Sequence, residues 1–78
     1  MDDELASYRL ATTALGVVER AEKSGMKSGE IARQLRVDRQ AVVLWRNGKV
    51  RTLREATARA VRRLDRRLKS AENGRARR

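Results

Sequence analysis

SGEIARQLRVDRQAVVLWRNG, residues 28–48, places apolar side chains at Ile31, Ala32 and Leu35, then at Val37, then at Val42 and Trp45. Steps of three and four within each segment give one buried face per helix, as a 3.6-residue period requires. The spacing predicts two short helices, roughly residues 28–35 and 39–47, joined by a tight turn. Asp38 stands where the second begins, with a short carboxylate able to accept from the free N–H groups of a first turn. Asn47-Gly48 supplies the left-handed residue that ends it.

Upstream, residues from about Leu5 to Ser24 read as one long helix. Leu5, Tyr8, Ala11 or Thr12, Leu15 and Val18 form one stripe, and Leu10, Ala14, Val17 and Ala21 an adjacent one. Together they make a face wide enough to cover a core and leave area for a second subunit. The acidic residues ahead of it suit the positive end of a helix dipole. Gly16 costs about 1 kcal/mol relative to alanine inside a helix, which predicts a bend or a close helix crossing there. Ser24-Gly25-Met26 reads as a helix end, with Gly25 left-handed and Met26 folding back.

Downstream, Lys49-Val50-Arg51 connects to Thr52-Leu53-Arg54-Glu55, which has the pattern of a capping box. A final helix is expected from there to about Glu72, burying Leu53, Ala56, Ala60, Val61, Leu64 and Leu68. Its opposite face carries Arg59, Arg62, Arg63, Arg66, Arg67 and Lys69. Asn73-Gly74 is expected to end that helix and Arg75-Ala76-Arg77-Arg78 to form a basic tail. The expected fold is all-α: a single small four-helix domain over residues 1–74, with a long first helix, a basic last helix and the tail at 75–78.

Composition narrows the chemistry. At 78 residues one domain is expected, and a core this small contributes only ~3–5 kcal/mol, so a partner or second copy is expected to complete it. There is no Cys, His or Pro, which leaves no disulfide, thiolate nucleophile or Cys/His zinc site. Apolar residues make up 40% of the chain but aromatic ones only 3%, so the core is aliphatic. No apolar run approaches the roughly 18 residues of a membrane span, and Met1-Asp2-Asp3-Glu4 has the wrong sign for a signal peptide; a cytoplasmic setting is expected. Charge is unevenly distributed. Residues 1–26 carry Arg9, Arg20 and Lys23 against Asp2, Asp3, Glu4, Glu19 and Glu22, a net of −2, while residues 27–78 carry 17 basic and 5 acidic side chains, a net of +12. A positive field confined to the part holding the helix pair is the footprint of a polyanion binder.

With these residues in place, Gly25-Met26 through Gly48 resembles the helix-turn-helix of the phage repressor/Cro-like (Xre-type) DNA-binding family. In that family an alanine of the first helix lets the second cross closely, and Ala32 stands there. A β-branched residue faces it, here Val42; three residues on a large apolar side chain plugs the core, here Trp45. The WRNGK run is similar to the helix end and loop with which members grip the sugar-phosphate backbone. Two departures stand out: Arg36 occupies the turn where glycine is usual, and Lys27 precedes the first motif helix where a capping Ser or Thr is usual, with serine displaced to Ser28.

The resemblance implies a lambda-repressor-like domain whose second motif helix lies in the major groove, with Arg39, Gln40, Val43 and Leu44 along it. Arg can donate two bonds to guanine and Gln can pair with adenine, while Val43 or Leu44 suits a thymine methyl. A merely solvated first turn is the competing reading for Arg39 and Gln40, and packing on the last helix the competing reading for Leu44. Ser28 and Gly29, at a helix N-terminus, and Arg46, Asn47, Lys49 and Arg51 are the expected phosphate contacts. Ile31, Ala32, Leu35, Val37, Val42 and Trp45 are the expected motif core.

These features point to a sequence-specific double-stranded DNA-binding regulator of phage or mobile-element type, a homodimer acting as a repressor by occupancy. Two alternatives are an architectural, recombination or packaging accessory, and an antitoxin-like module that binds a protein. No catalytic constellation, cofactor, metal or small-molecule ligand is expected: the carboxylates are scattered along helices, and Gly25-Met26-Lys27-Ser28 lacks the upstream glycine and strand of a nucleotide loop. Membrane-surface binding by the last helix is disfavoured, since no Trp or Phe anchors its apolar side.

Overall fold

The computed structural model describes residues 3–76, and all of its regular secondary structure there is helical. Five helices follow one another: α1 (Asp3–Tyr8), α2 (Ala11–Lys23), α3 (Ser28–Gln34), α4 (Arg39–Arg46) and α5 (Glu55–Ala76). The central α2 touches all the others, α5 lies on α1 and α2, and α4 lies on α2 and α3. The core is aliphatic apart from Tyr8 and Trp45. Ala14, Val17 and Ala21 of α2 meet Ile31, Leu35 and Trp45 on one side of the sequence and Leu53, Val61, Leu64 and Leu68 on the other. No described helix is long and apolar enough to cross a membrane.

The long first helix of the sequence reading is two helices, which makes five rather than four. Leu10 leaves helical geometry (φ −79°, ψ 129°) although neither proline nor glycine marks the place. The cause is remote in sequence. Residues 51–53 run antiparallel beside 9–11: the Ala11 N–H donates to the Arg51 carbonyl at 2.9 Å and the Leu53 N–H to the Arg9 carbonyl at 2.7 Å. The Arg9 Nε adds a bond to the Leu53 carbonyl at 3.2 Å. Backbone groups that a continuous helix would satisfy internally are satisfied across the chain instead. The break turns α1 so that Leu5 and Tyr8 face the core, and it leaves Leu10, expected in the second stripe, 47% exposed.

The same clasp overrides the capping box. Thr52 is held in the bridge, α5 begins at Glu55, and the Glu55 carboxylate takes the Arg59 guanidinium at 3.0 Å rather than returning to Thr52. In α5 the buried alanines are Ala58 and Ala60, whereas Ala56 is exposed. Asn73-Gly74 does not end the helix, which runs to Ala76, so Arg75 and Ala76 are helical rather than tail; Arg77 and Arg78 lie outside the described residues. Gly16 serves no close crossing, for nothing stands within 4 Å of where its Cβ would be.

Three successive helix ends repeat one geometry. After α2, the Met26 N–H reaches the Ala21 carbonyl and the Gly25 N–H that of Glu22. After α3, Val37 reaches Ala32 and Arg36 reaches Arg33; after α4, Lys49 reaches Leu44 and Gly48 reaches Trp45. Each is the paired-bond termination that needs a left-handed residue: Gly25 (φ 104°), Arg36 (φ 58°) and Gly48 (φ 72°). Only the middle one is built without glycine.

Candidate nucleic-acid interface

The α3–α4 turn positions the site. Its left-handed Arg36 reverses the chain within four residues, from Leu35 to Asp38, and half-buried Val37 anchors it against the core. Asp38, extended, then accepts the Ala41 N–H on its side chain at 3.0 Å, which starts α4 as the sequence predicts. The rotation of α4 follows from its inward side chains. Trp45 is 4% exposed, and Val42 and Ala41 pack half-buried on the same cluster. Ile31, Ala32 and Leu35 are buried and Val37 half-buried, so the expected motif core is assembled.

The outward face therefore carries Arg39, Gln40, Val43 and Asn47, all exposed. Val43, at 44% exposure, is one of the two large apolar residues left open to solvent among the described residues. Leu44 is half-buried at the edge of that face. Arg39 bends toward the start of α3, where its Nη2 lies 2.9 Å from the position a Cβ on Gly29 would take. Glycine at 29 thus makes room for a guanidinium. Between α2, α3 and α4 runs an open groove of about 340 Å³ with Val18, Ile31 and Val42 in its floor and Ser28, Arg39 and Arg46 on its rim.

Five of the expected contact residues, Ser28, Gly29, Arg39, Val43 and Arg46, thus line this groove or the opening beside it. Arg46 is not idle there: its Nη2 lies 2.9 Å from Oε1 of Glu22 on α2, an exposed ion pair. Exposed pairs of this kind contribute little and are screened by salt, so Glu22 holds the guanidinium loosely. Lys49 and Arg51 lie on the connector after α4, both exposed, and the Arg51 backbone belongs to the clasp at Ala11. They do not line the groove. Sequence reading passed over Lys27 and Arg33, which line the same opening at the start of α3 as Arg39, together with Glu30. Their spacing relative to Ser28 was the available signal.

A second cluster of charge lies in the core. Asp65 of α5 is 2% exposed. Its Oδ2 accepts from the Tyr8 hydroxyl at 2.5 Å and meets the Lys69 ammonium at 3.2 Å, while Oδ1 faces the Arg20 guanidinium at 2.5 Å. Burial raises the carboxyl's pKa, but the bonds from Tyr8 and Lys69 and the charge of Arg20 outweigh it and hold Asp65 below the ordinary carboxylate value. Tyr8 is pushed up to about 12, by burial first and then by the bond to Asp65 and its charge. Arg20 also borders an open groove beside Leu68 and Glu72; the cluster contains no metal-ligating set among the described residues, and it binds α5 to α1 and α2. Asp65 sits four residues after Val61 and three before Leu68, an acid on an apolar register, and that was its sequence signal. No protein-family model, curated protein or solved structure matches the chain.

Proposed function

We propose that the chain is a sequence-specific double-stranded DNA-binding regulator of the phage-repressor type, with α3 and α4 forming a helix-turn-helix and α4 lying in the major groove. One observation carries this reading: α4 is capped by Asp38 and rolled by Trp45 so that Arg39, Gln40 and Val43 face outward together. Arg39 and Gln40 occupy its first turn, the part of a recognition helix that reaches base edges, and Val43 offers an apolar contact to thymine. Around them Lys27, Arg33 and Arg46, with Lys49 after the helix, supply the sequence-independent attraction to phosphates that positions a protein on a duplex.

One short helix reads only a few base pairs. A homodimer placing two such helices about one turn apart, ~34 Å, gives the specificity an operator requires. In this reading regulation is by occupancy of the site, as for a repressor. The test begins with selection of bound duplexes from a random pool, which is expected to return a site with two-fold symmetry. On that site Arg39→Ala is expected to cost about 1–3 kcal/mol and to relax preference at one base position, whereas Lys49→Ala weakens all sequences alike. Equal losses from both substitutions on selected and random duplexes would remove the assignment of base reading to α4.

A further inference from the structure

We propose that the arginine face of α5 is a second surface for the phosphodiester backbone of double-stranded DNA, separate from α4. This rests on the reading of the chain as a DNA binder and adds a surface to it. Arg59, Arg62, Arg63, Arg66 and Arg67 fall within nine residues of one helix, or ~12 Å at 1.5 Å per residue. With Ser70 they line one open trough on α5. The helices differ in their neighbours, α5 resting on α1 and α2 and α4 on α2 and α3.

The charges on this face are only partly answered within the protomer. Arg59 meets Glu55 at 3.0 Å, Arg66 meets Glu4 at 3.1 Å, and Arg67 reaches only the neutral amide oxygen of Gln34 at 3.4 Å. Arg63 and Arg67 have no carboxylate partner among the described residues. Meanwhile Arg59 and Arg63, Arg62 and Arg66, and Arg63 and Arg67 stand four apart, a spacing at which like charges destabilise a helix. The Glu55 and Glu4 carboxylates offset part of that cost at Arg59 and Arg66, and an anion lying along the face would offset the part that remains at Arg63 and Arg67.

The side chains choose among polyanions. A helix that lies in a membrane surface needs its apolar face free, and Ala58, Val61, Leu64 and Leu68 of α5 are buried in the core. A protein partner is held by aromatic or aliphatic anchors in a desolvated centre; among the described residues the exposed large apolar ones are Leu10 and Val43, neither on α5. What remains is a row of forked donors, suited to paired bonds with phosphate oxygens. At ~3.4 Å of rise per phosphate on one strand, the ~12 Å row spans three or four phosphates.

The test uses the full chain and a triple variant, Arg59→Gln/Arg63→Gln/Arg67→Gln, shown folded by circular dichroism. Each neutralised phosphate contributes about 0.9 to the slope of log affinity against log salt. The triple variant is expected to lower that slope by about two to three on a random duplex and to bind it at least roughly tenfold more weakly at low salt. Its preference for a selected site over a random one should stay within about twofold of wild type. Should the triple variant fail to fold, Arg63→Gln alone is expected to lower the slope by about one. A folded variant with an unchanged slope would overturn the proposal and leave the reading of α4 intact, as would loss of binding to phosphatidylserine vesicles with duplex binding unaltered. Wild-type protein showing no salt-dependent binding to any duplex would remove both readings.

Discussion

Around Trp45 the chain closes its core with an indole and aliphatic neighbours; where α5 meets α1 and α2 it closes it with a carboxylate. The first region follows from local rules. Ile31, Leu35 and Trp45 are buried at helical spacing, and an aspartate and a left-handed turn frame them. The second depends on partners far apart in sequence: Tyr8, Arg20 and Lys69 converge on Asp65. Apolar packing tolerates approximate placement, whereas a buried charge must find all its partners or be strongly unfavourable. The α3–α4 half therefore sets the shape of the candidate interface, and the Asp65 half sets the single way in which α5 docks behind it.

The sharpest break between the two regions is Trp45→Ala. Removing a buried indole costs about 3–5 kcal/mol, comparable to the whole stability of a domain this small, so thermal melts are expected to show a largely unfolded chain. Asp65→Ala should cost less, about 1–3 kcal/mol, chiefly by leaving the Tyr8 hydroxyl buried without its acceptor. The Arg20 and Lys69 side chains, 40% and 58% exposed, return to water. An Asp65→Ala loss larger than that of Trp45→Ala would reverse the ranking of the two regions.

Titration separates them without a large change in structure. Because the folded pKa of Asp65 is lowered, its contribution is present above the ordinary carboxylate value and is lost as pH falls through the folded one. Because that of Tyr8 is raised, its contribution is full below 10 and is lost as pH rises from 10 toward about 12. Denaturant midpoints measured across pH should fall at both ends in the wild type. Tyr8→Phe should flatten the alkaline limb, and persistence of that limb would assign it to other groups.

The smallest effect lies in the local region. Arg36 holds a left-handed conformation that costs a residue with a Cβ about 1–2 kcal/mol. Arg36→Gly is expected to stabilise the fold by about 1 kcal/mol at most, since glycine loses more freedom on folding. A destabilised Arg36→Gly would mean that the arginine side chain makes a contribution beyond its backbone shape.

These contrasts explain what the sequence could disclose. The Asp38 cap, the Gly25 and Gly48 turns and the inward set from Ile31 to Trp45 arise from interactions within a few residues, so spacing revealed them. The break at Leu10 did not show, because the stripe through Leu5, Tyr8 and Leu15 continues across it without a breaker. It is imposed by residues 51–53, with Thr52 lying 42 positions after Leu10, and the same bonds withdraw Thr52 from the capping box it spells. For the candidate interface, the resemblance puts Arg39, Gln40, Val43 and Leu44 along one face; the first three are exposed and Leu44 is half-buried at its edge. The Arg46–Glu22 pair and the seat of Arg39 over Gly29 needed the packing of α2 and α3 on α4.

The clasp between residues 9–11 and 51–53 also bears on the order of assembly. It encloses α2, α3 and α4 as one loop, while α1 and α5 lie outside it. Neighbouring helices meet at small closure cost, and long-range pairings come later. The enclosed three helices are therefore expected to gather first, and the outer two to lock them only when Leu53 emerges and finds Arg9. The Ala11 and Leu53 amide protons, both spent in the clasp, would report that final step by their slow exchange with solvent.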